Sequence, residues 1–227
     1  MKAHPSRRNF LAASSAACAS ALYRPQRGPA AEKSDDWGGF PVGVQTISLR
    51  KFALPEVMRH LQGMGVRYVE FSASAHLAST ASDQQIAEAR DLAARAGLTI
   101  SAQGVNRFSR DHAANQRVFE FAKKLGIHII TANPQPDAET FASLEKLVAE
   151  YDMRLAIHNH GPGTLYDKLQ DVVNALKGRD PRIGACVDCG HFIASGEDPV
   201  KCVQTLGSRV LGVHLKDLAE FGSKSPN

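Results

Sequence analysis

Short apolar runs alternate with amphipathic segments along the chain from Pro41 onward. The runs predict seven strands, at 42–49, 66–71, 98–105, 128–132, 155–157, 183–188 and 210–215. The segments between them carry apolar residues at intervals of three and four and predict helices at 54–64, 83–96, 111–125, 137–151, 165–176 and 199–206. Glycine closes three of these helices, at Gly65, Gly97 and Gly126. The regular alternation predicts a parallel sheet wrapped by helices.

Side chains of the kind that bind metals or transfer protons follow three of the predicted strands. They are His158 and His160 after the fifth strand, Asp188 at the end of the sixth with His191 beyond it, and His214 and Lys216 at the end of the seventh. A (β/α)8 TIM barrel builds its site where the carboxyl ends of the strands meet, so this pattern favours that fold. No G-x-G-x-x-G or G-K-[ST] motif follows a strand, which disfavours a nucleotide-binding doubly wound sheet. Only ten residues follow Asp217, and we expect the barrel to be truncated before its eighth strand.

The 227 residues are 43% apolar, which is enough for one sizeable core and favours a single domain at 41–227. Much of the net charge of +4 comes from the first 33 residues, which hold six lysines and arginines and one acid. The rest of the chain is near neutrality. It therefore lacks the basic surface that a nucleic acid requires, and no nucleic-acid partner is expected.

The segment Ser6-Arg7-Arg8-Asn9-Phe10-Leu11 looks like a twin-arginine export signal. An apolar run at 11–22 follows, which is too short to span a bilayer because a spanning helix needs ~20 apolar residues. Small residues at 19–21 offer a cleavage site. We therefore expect a signal peptide at 1–31, a polar linker at 32–40 and export to the periplasm or the extracellular space, without a stable membrane anchor.

Cys186 and Cys189 match the pattern C-x-x-C. They lie along a predicted strand, and a structural zinc site needs four ligands where only one such pair exists. We therefore expect both thiols to pack as small apolar side chains. With Cys202, the number of cysteines beyond the leader is odd, which does not predict a disulfide framework.

Three motifs resemble those of the xylose isomerase-like TIM barrels, the sugar phosphate isomerase/epimerase superfamily that is related to endonuclease IV. They are L-A-I-H-N-H at the fifth strand, V-D-C-G-H at the sixth and V-H-L-K-D at the seventh. The resemblance implies that Asp188 and His214 bind a metal and that His191 contacts the substrate or a second metal. His158 stands where the family usually has a metal-binding glutamate, and the family's other catalytic glutamate belongs to the eighth strand.

The chemistry of this family needs a divalent metal and a base. Isomerisation or epimerisation through an enediolate places negative charge on oxygen, which a metal stabilises, while a nearby group moves the carbon-bound proton. His158, Asp188 and His214 are the candidate ligands, a nitrogen and oxygen set suited to Mn, Zn, Fe, Co or Mg. His160 lies on the same face as His158 by two-residue alternation and is the first candidate base. Glu70, at the end of the second strand, is the other candidate.

His191 and Lys216 are the candidates for binding a substrate, which the resemblance implies is a small sugar or sugar phosphate. The first expected function is that of an exported, metal-dependent sugar or sugar phosphate isomerase or epimerase. One alternative is a truncated, catalytically impaired barrel that only binds metal or carbohydrate. Another is an endonuclease IV-like phosphodiesterase, which the near-neutral charge disfavours. A homo-oligomer is left open.

Overall fold

Seven parallel strands form one sheet in the computed structural model, which describes residues 39–218. The strands are β1 (Gly43–Gln45), β2 (Tyr68–Ser72), β3 (Thr99–Phe108), β4 (Ile129–Pro134), β5 (Arg154–His158), β6 (Ile183–Asp188) and β7 (Val210–His214). Each strand pairs with the strands that precede and follow it in the chain, which is the order of a barrel wall. The predicted TIM-barrel architecture is confirmed, and no eighth strand is present among residues 39–218.

Glu70 on β2 and His214 on β7 demonstrate that this sheet curls. Five inter-strand steps separate β2 from β7, and at ~4.8 Å per step a flat sheet would place the two strands roughly 24 Å apart. The side chains of Glu70 and His214 nevertheless lie 2.8 Å apart. The carboxyl ends of β2 and β7 therefore face each other across the mouth of a partial barrel.

Seven α-helices accompany these strands in the described part of the chain. They are α1 (Leu54–Gly63), α2 (Asp83–Arg95), α3 (His112–Leu125), α4 (Ala138–Glu150), α5 (Leu169–Leu176), α6 (Cys189–Ala194) and α7 (Pro199–Leu206). Four helices, α3, α4, α6 and α7, begin with an aspartate whose side chain accepts hydrogen bonds from backbone N–H groups of the first turn. These aspartates are Asp111, Asp137, Asp188 and Asp198. The inward faces of the helices and the strands share one core, in which Phe119, Leu147 and Leu155 are fully buried.

Three predicted boundaries were wrong by three or more residues, and one helix was missed. Strand β3 continues to Phe108, three residues beyond its predicted end. The first strand ends early because Thr46–Leu49 form a 3-10 helix. Helix α5 begins at Leu169, since the residues before it form a turn in which Asp167 accepts a hydrogen bond from the backbone N–H of Gly163. Helix α6 follows β6 directly and has six residues, too few to show helical periodicity in the sequence.

The predicted signal peptide at 1–31 and most of the predicted linker at 32–40 lie outside the described residues. The compact unit that carries the barrel strands begins at Pro41. Among the described helices, none has the length and apolar character needed to cross a membrane.

Candidate active site

The ends of β5, β6 and β7 bring His158, Asp188 and His214 to one point of the barrel mouth. Each is the last residue of its strand, and the register places Asp188 beside His214. Nε2 of His158 lies 2.9 Å from Nδ1 of His214, while Oδ2 of Asp188 lies 3.5 Å from the first nitrogen and 3.8 Å from the second. The three candidate ligands are thus adjacent, and their binding of a metal stays a prediction.

Glu70 on β2 is the partner of His214 from the other side of the mouth. Its Oε2 accepts a hydrogen bond from Nε2 of His214 at 2.8 Å, and its Oε1 accepts from Gln45 at 3.0 Å and from Thr131 at 2.8 Å. Burial opposes ionisation of Glu70, but these hydrogen bonds, with that of His214 the strongest, lower its pKa below 4.5. Both oxygens are occupied, so the contacts favour a role in orienting His214 over the predicted role of base.

A line of hydrogen bonds runs from Glu70 through His214 to His158. Although burial opposes protonation of His214, its contacts with Cys186 and Glu70 raise its pKa to about 11. Burial lowers the pKa of His158, so this ring is neutral and its Nε2 accepts the hydrogen of His214 Nδ1. A cation held between these two nitrogens would take the place of the proton that they share.

Asp188 is held in place by hydrogen bonds to Asn159, which follows β5, and to the start of helix α6. Its Oδ1 accepts the backbone N–H of His191 at 2.8 Å and so caps α6. The side chain of Asn159 bonds the backbone of Asp188 twice, accepting its N–H at 2.7 Å and donating to its carbonyl at 3.0 Å. Burial opposes ionisation of Asp188, but the contact with His158 and the nearby charges lower its pKa to about 2. The carboxylate is therefore ionised, with Oδ2 facing His158 and His214.

His160 and His191 lie beside this cluster. The ring centroid of His160 is 4.6 Å from that of His158 and 5.4 Å from that of His191. Burial, together with the neighbouring imidazoles, lowers the pKa of His160 to about 4. Nδ1 of His160 lies 3.2 Å from the carbonyl oxygen of His158, which only accepts, so Nδ1 carries the hydrogen and Nε2 keeps its lone pair. His160 can therefore accept a proton at neutral pH.

A cavity of about 890 Å³ opens at this edge of the sheet, a size typical of small-molecule sites. Its wall includes all five residues of the imidazole and aspartate cluster, His158, His160, Asp188, His191 and His214, and the cationic residues Arg50, Arg107 and Lys216. Nζ of Lys216 lies 3.4 Å from Nε2 of His191. Burial, with the charge of Lys216, lowers the pKa of His191 to about 4 against the opposing pull of Asp188. Each site residue that the sequence predicted on β5, β6 and β7 thus lines one cavity.

Several residues of this site were not predicted from the sequence. Cys186 is 3% exposed and lies close to His158 and His214, not among apolar neighbours alone. Two-residue alternation from Asp188 back to Cys186 could have found it. Cys189 starts α6 and does not continue the strand. Asn159, Gln45 and Thr131 act through hydrogen bonds between strands, for which the sequence carries no signal.

The donor atoms fit a divalent transition metal. With bonds of roughly 2.0 to 2.2 Å, two ligands of one tetrahedral ion lie about 3.4 Å apart. The separations of 2.9, 3.5 and 3.8 Å among the donors of His158, Asp188 and His214 bracket this value. A histidine ligand usually donates its other N–H to a carboxylate or carbonyl, as His214 does to Glu70.

Comparison with known proteins connects this geometry to a family. The family model described as "Xylose isomerase-like TIM barrel" matches residues 58–225. An uncharacterised protein from Parabacteroides distasonis ATCC 8503, known from a crystal structure, is 34% identical, with a TM-score of 0.65 over 79% of this chain and 75% of that one. The 3-keto-D-glucoside 4-epimerase from E. coli shares the fold at 15% identity, with a TM-score of 0.59 over 78% of this chain and 79% of that one.

Among curated proteins, an inosose dehydratase from Clostridium tetani is 32% identical over 84 residues. This segment is 37% of the present chain and 28% of the relative, so the chain matches little more than a quarter of the relative's length. The family model, in contrast, spans well over half of the present chain. The match of the family model and the shared architecture show that the chain belongs to the xylose isomerase-like TIM barrel family.

Proposed function

We propose that this protein is a metal-dependent isomerase or epimerase that acts on a small sugar or sugar phosphate. The proposed reaction removes a proton from the carbon next to a carbonyl group and returns it to the same or the neighbouring carbon. One observation carries the proposal: the donor atoms of His158, Asp188 and His214 lie within 2.9 to 3.8 Å of one another beside the neutral imidazole of His160. Membership of a family with sugar-processing members supports it.

His158, Asp188 and His214 are proposed to hold the ion, and Glu70 to orient His214. The metal, when bound, polarises the substrate carbonyl and stabilises negative charge on its oxygen. His160 is the proposed base, because its Nε2 lone pair is free of the hydrogen bond that Nδ1 makes. His191 and Lys216, with the nearby Arg107 on the cavity wall, are proposed to hold hydroxyl or phosphate oxygens of the substrate.

Dehydration is the second candidate reaction. The similarity to the Clostridium tetani inosose dehydratase favours it. Loss of water next to a carbonyl begins with the same proton removal, so the same His160 and the same ion would serve. The two reactions differ in the fate of the intermediate, because the dehydratase expels a hydroxyl group where the isomerase returns the proton.

Proton exchange with deuterated water tests the proposal. We expect the protein, loaded in turn with Mn, Zn, Fe, Co or Mg, to exchange the hydrogen next to the carbonyl of at least one ketose, ketose phosphate or inosose, followed by NMR. A new epimer or isomer identifies the first reaction, and an unsaturated ketone identifies dehydration. The variant His214→Ala should lose both exchange and bound metal. Bound metal with no exchange across this panel would support instead a barrel that only binds metal or carbohydrate.

Export by the twin-arginine route is proposed separately, on the motif at Arg7 and Arg8. A reporter that folds before export, fused behind residues 1–31, should reach the periplasm of a bacterial host. The variant Arg7→Lys with Arg8→Lys should keep the reporter inside the cell. Retention of the unaltered fusion would contradict the proposal without affecting the proposed reaction.

A further inference from the structure

Cys186 is a buried thiol that the proposed reaction leaves without a role. Cys186 precedes Asp188 by two residues on β6, and side chains two residues apart on a strand point to the same face. Both side chains therefore lie on the inward face of β6. The register pairs Cys186 with His158 on β5 and with Gly212 on β7. A Cβ atom built on Gly212 would lie 3.7 Å from Sγ of Cys186, which shows that the thiol occupies the space above this glycine.

The thiol therefore stands beside the two imidazoles of the candidate metal site. One nitrogen of His158, Sγ of Cys186 and one nitrogen of His214 all lie within 4.8 Å of one another. Cys186 and His158 are 3% and 4% exposed, so bulk water does not compete for either group. The ring of His214 also faces Asp188, whose Oδ2 lies 3.8 Å from its Nδ1.

We infer that Cys186 supplies a thiolate ligand to the ion held by His158, Asp188 and His214. The inference rests on the proposed function, because it assumes that these three residues bind a metal. With Zn–S bonds of about 2.3 Å and Zn–N bonds of about 2.0 Å, sulfur and nitrogen on one tetrahedral ion lie roughly 3.5 Å apart. The upper limit of 4.8 Å exceeds this separation by about 1.3 Å, which the binding of the ion would have to close.

A sulfur ligand would decide which metal the protein prefers. Thiolates favour Zn and other thiophilic ions, whereas Mg and Mn favour carboxylate, carbonyl and water oxygens. A site of two nitrogens, one oxygen and one sulfur would come from three adjacent strands, and a substrate oxygen would add a fifth ligand, a coordination number that catalytic zinc can reach. The structure thus assigns to this chain a softer site than a nitrogen and oxygen set alone provides.

X-ray absorption of the zinc-loaded protein tests the ligand directly. The proposal expects one sulfur scatterer at about 2.3 Å from zinc in the unaltered protein. This measurement needs no variant, so it stays decisive where a substitution prevents folding. Zinc bound with only nitrogen and oxygen neighbours would overturn the thiolate and leave the proposed function standing. Binding of manganese or magnesium but not of zinc or cobalt would also overturn the thiolate alone, whereas failure to bind any of the five metals would overturn the metal site and the proposed function together.

Cobalt-loaded variants provide the second test. The unaltered protein should show a sulfur-to-cobalt charge-transfer band in the near ultraviolet, and Cys186→Ser should lose it while still binding cobalt. Cys189→Ser is the matched control, because Cys189 is three positions away and only half-buried, and it should keep the band. Competition between zinc and manganese should shift towards manganese by at least about tenfold in Cys186→Ser. A band that persists in Cys186→Ser, or disappears in Cys189→Ser, would refute the assignment.

Discussion

Oε2 of Glu70 lies 2.8 Å from Nε2 of His214, although the two residues are 144 positions apart in the chain. This contact joins the second strand to the seventh and fixes the ring so that its other nitrogen, Nδ1, faces His158. A carboxylate behind a histidine ligand sets the tautomer of the ring and makes it a stronger donor. Glu70 therefore contributes to the candidate site through His214.

Glu70→Gln should weaken metal binding without unfolding the protein. The amide has the size of the carboxylate but lacks its charge, so the hydrogen bond from His214 is weaker. We expect the dissociation constant for zinc, measured by competition with a chromophoric chelator, to rise by about 10- to 100-fold. Glu150→Gln, which alters an exposed carboxylate at the end of α4, is the control and should bind zinc as before. Unchanged affinity in Glu70→Gln would remove Glu70 from the site.

Asn159→Ala should lower stability and disturb Asp188. The side chain of Asn159 is 1% exposed and satisfies both backbone groups of Asp188. Removing it leaves a buried N–H and a buried carbonyl without their partner, which costs about 1 to 3 kcal/mol. Urea unfolding of the metal-free protein measures this loss. Asn174→Ala removes an exposed amide bonded only to Gln170 and should change the free energy of unfolding little.

The sequence was sufficient to predict the ends of β5, β6 and β7. Side chains along a strand alternate between its two faces, and the carboxyl ends of parallel strands meet at one edge of the sheet. The sequence alone therefore predicted that His158, Asp188 and His214 lie together. The contact between Glu70 and His214 could not be predicted, because it depends on how far the sheet curls. Glu70 was accordingly assigned the role of base, whereas its contacts favour that of a partner to His214.

The position of Cys186 beside the two imidazoles was missed for a different reason. A cysteine in an apolar strand usually packs as a small apolar residue, and the pattern C-x-x-C drew attention to Cys189 as its partner. The structure separates the two, since Cys189 begins α6 and Cys186 stays on the strand. The two-residue spacing from Cys186 to Asp188 was the one that indicated a shared site, because it places the thiol and the carboxylate on the same face of β6.

Stability of the metal-free protein should fall as the pH is lowered. Burial lowers the pKa of His158, His160 and His191 below 6.5. For His160 and His191 the lowered pKa is about 4. Between these values the unfolded chain binds more protons than the folded one, so the free energy of unfolding decreases with decreasing pH. The pKa of His214 is raised to about 11, so near 6.5 this ring opposes the trend, whereas well below 6.5 it is protonated in both states and adds no slope.

Urea unfolding at several pH values between about 4 and 5.5, where His214 adds no slope, measures this dependence. The double variant His160→Gln with His191→Gln should show a flatter profile over the same range, because two of the three titrating groups are gone. His60→Gln, which alters an exposed histidine on α1, should keep the slope of the unaltered protein. A free energy of unfolding that rises on acidification would contradict the neutral state assigned to these rings.

His160→Asn separates the proposed base from the proposed ligands. The amide of asparagine can replace Nδ1 as donor to the carbonyl of His158, but it has no group that accepts a proton in the way that Nε2 does. We expect the rate of hydrogen exchange at the substrate carbon to fall by about 10²- to 10⁴-fold, the usual contribution of a general base. Metal content should stay that of the unaltered protein, since His160 is not among the proposed ligands. If His160→Asn lost its metal instead, the ring would belong to the ligand set, and the base would have to be sought among the other groups that line the cavity.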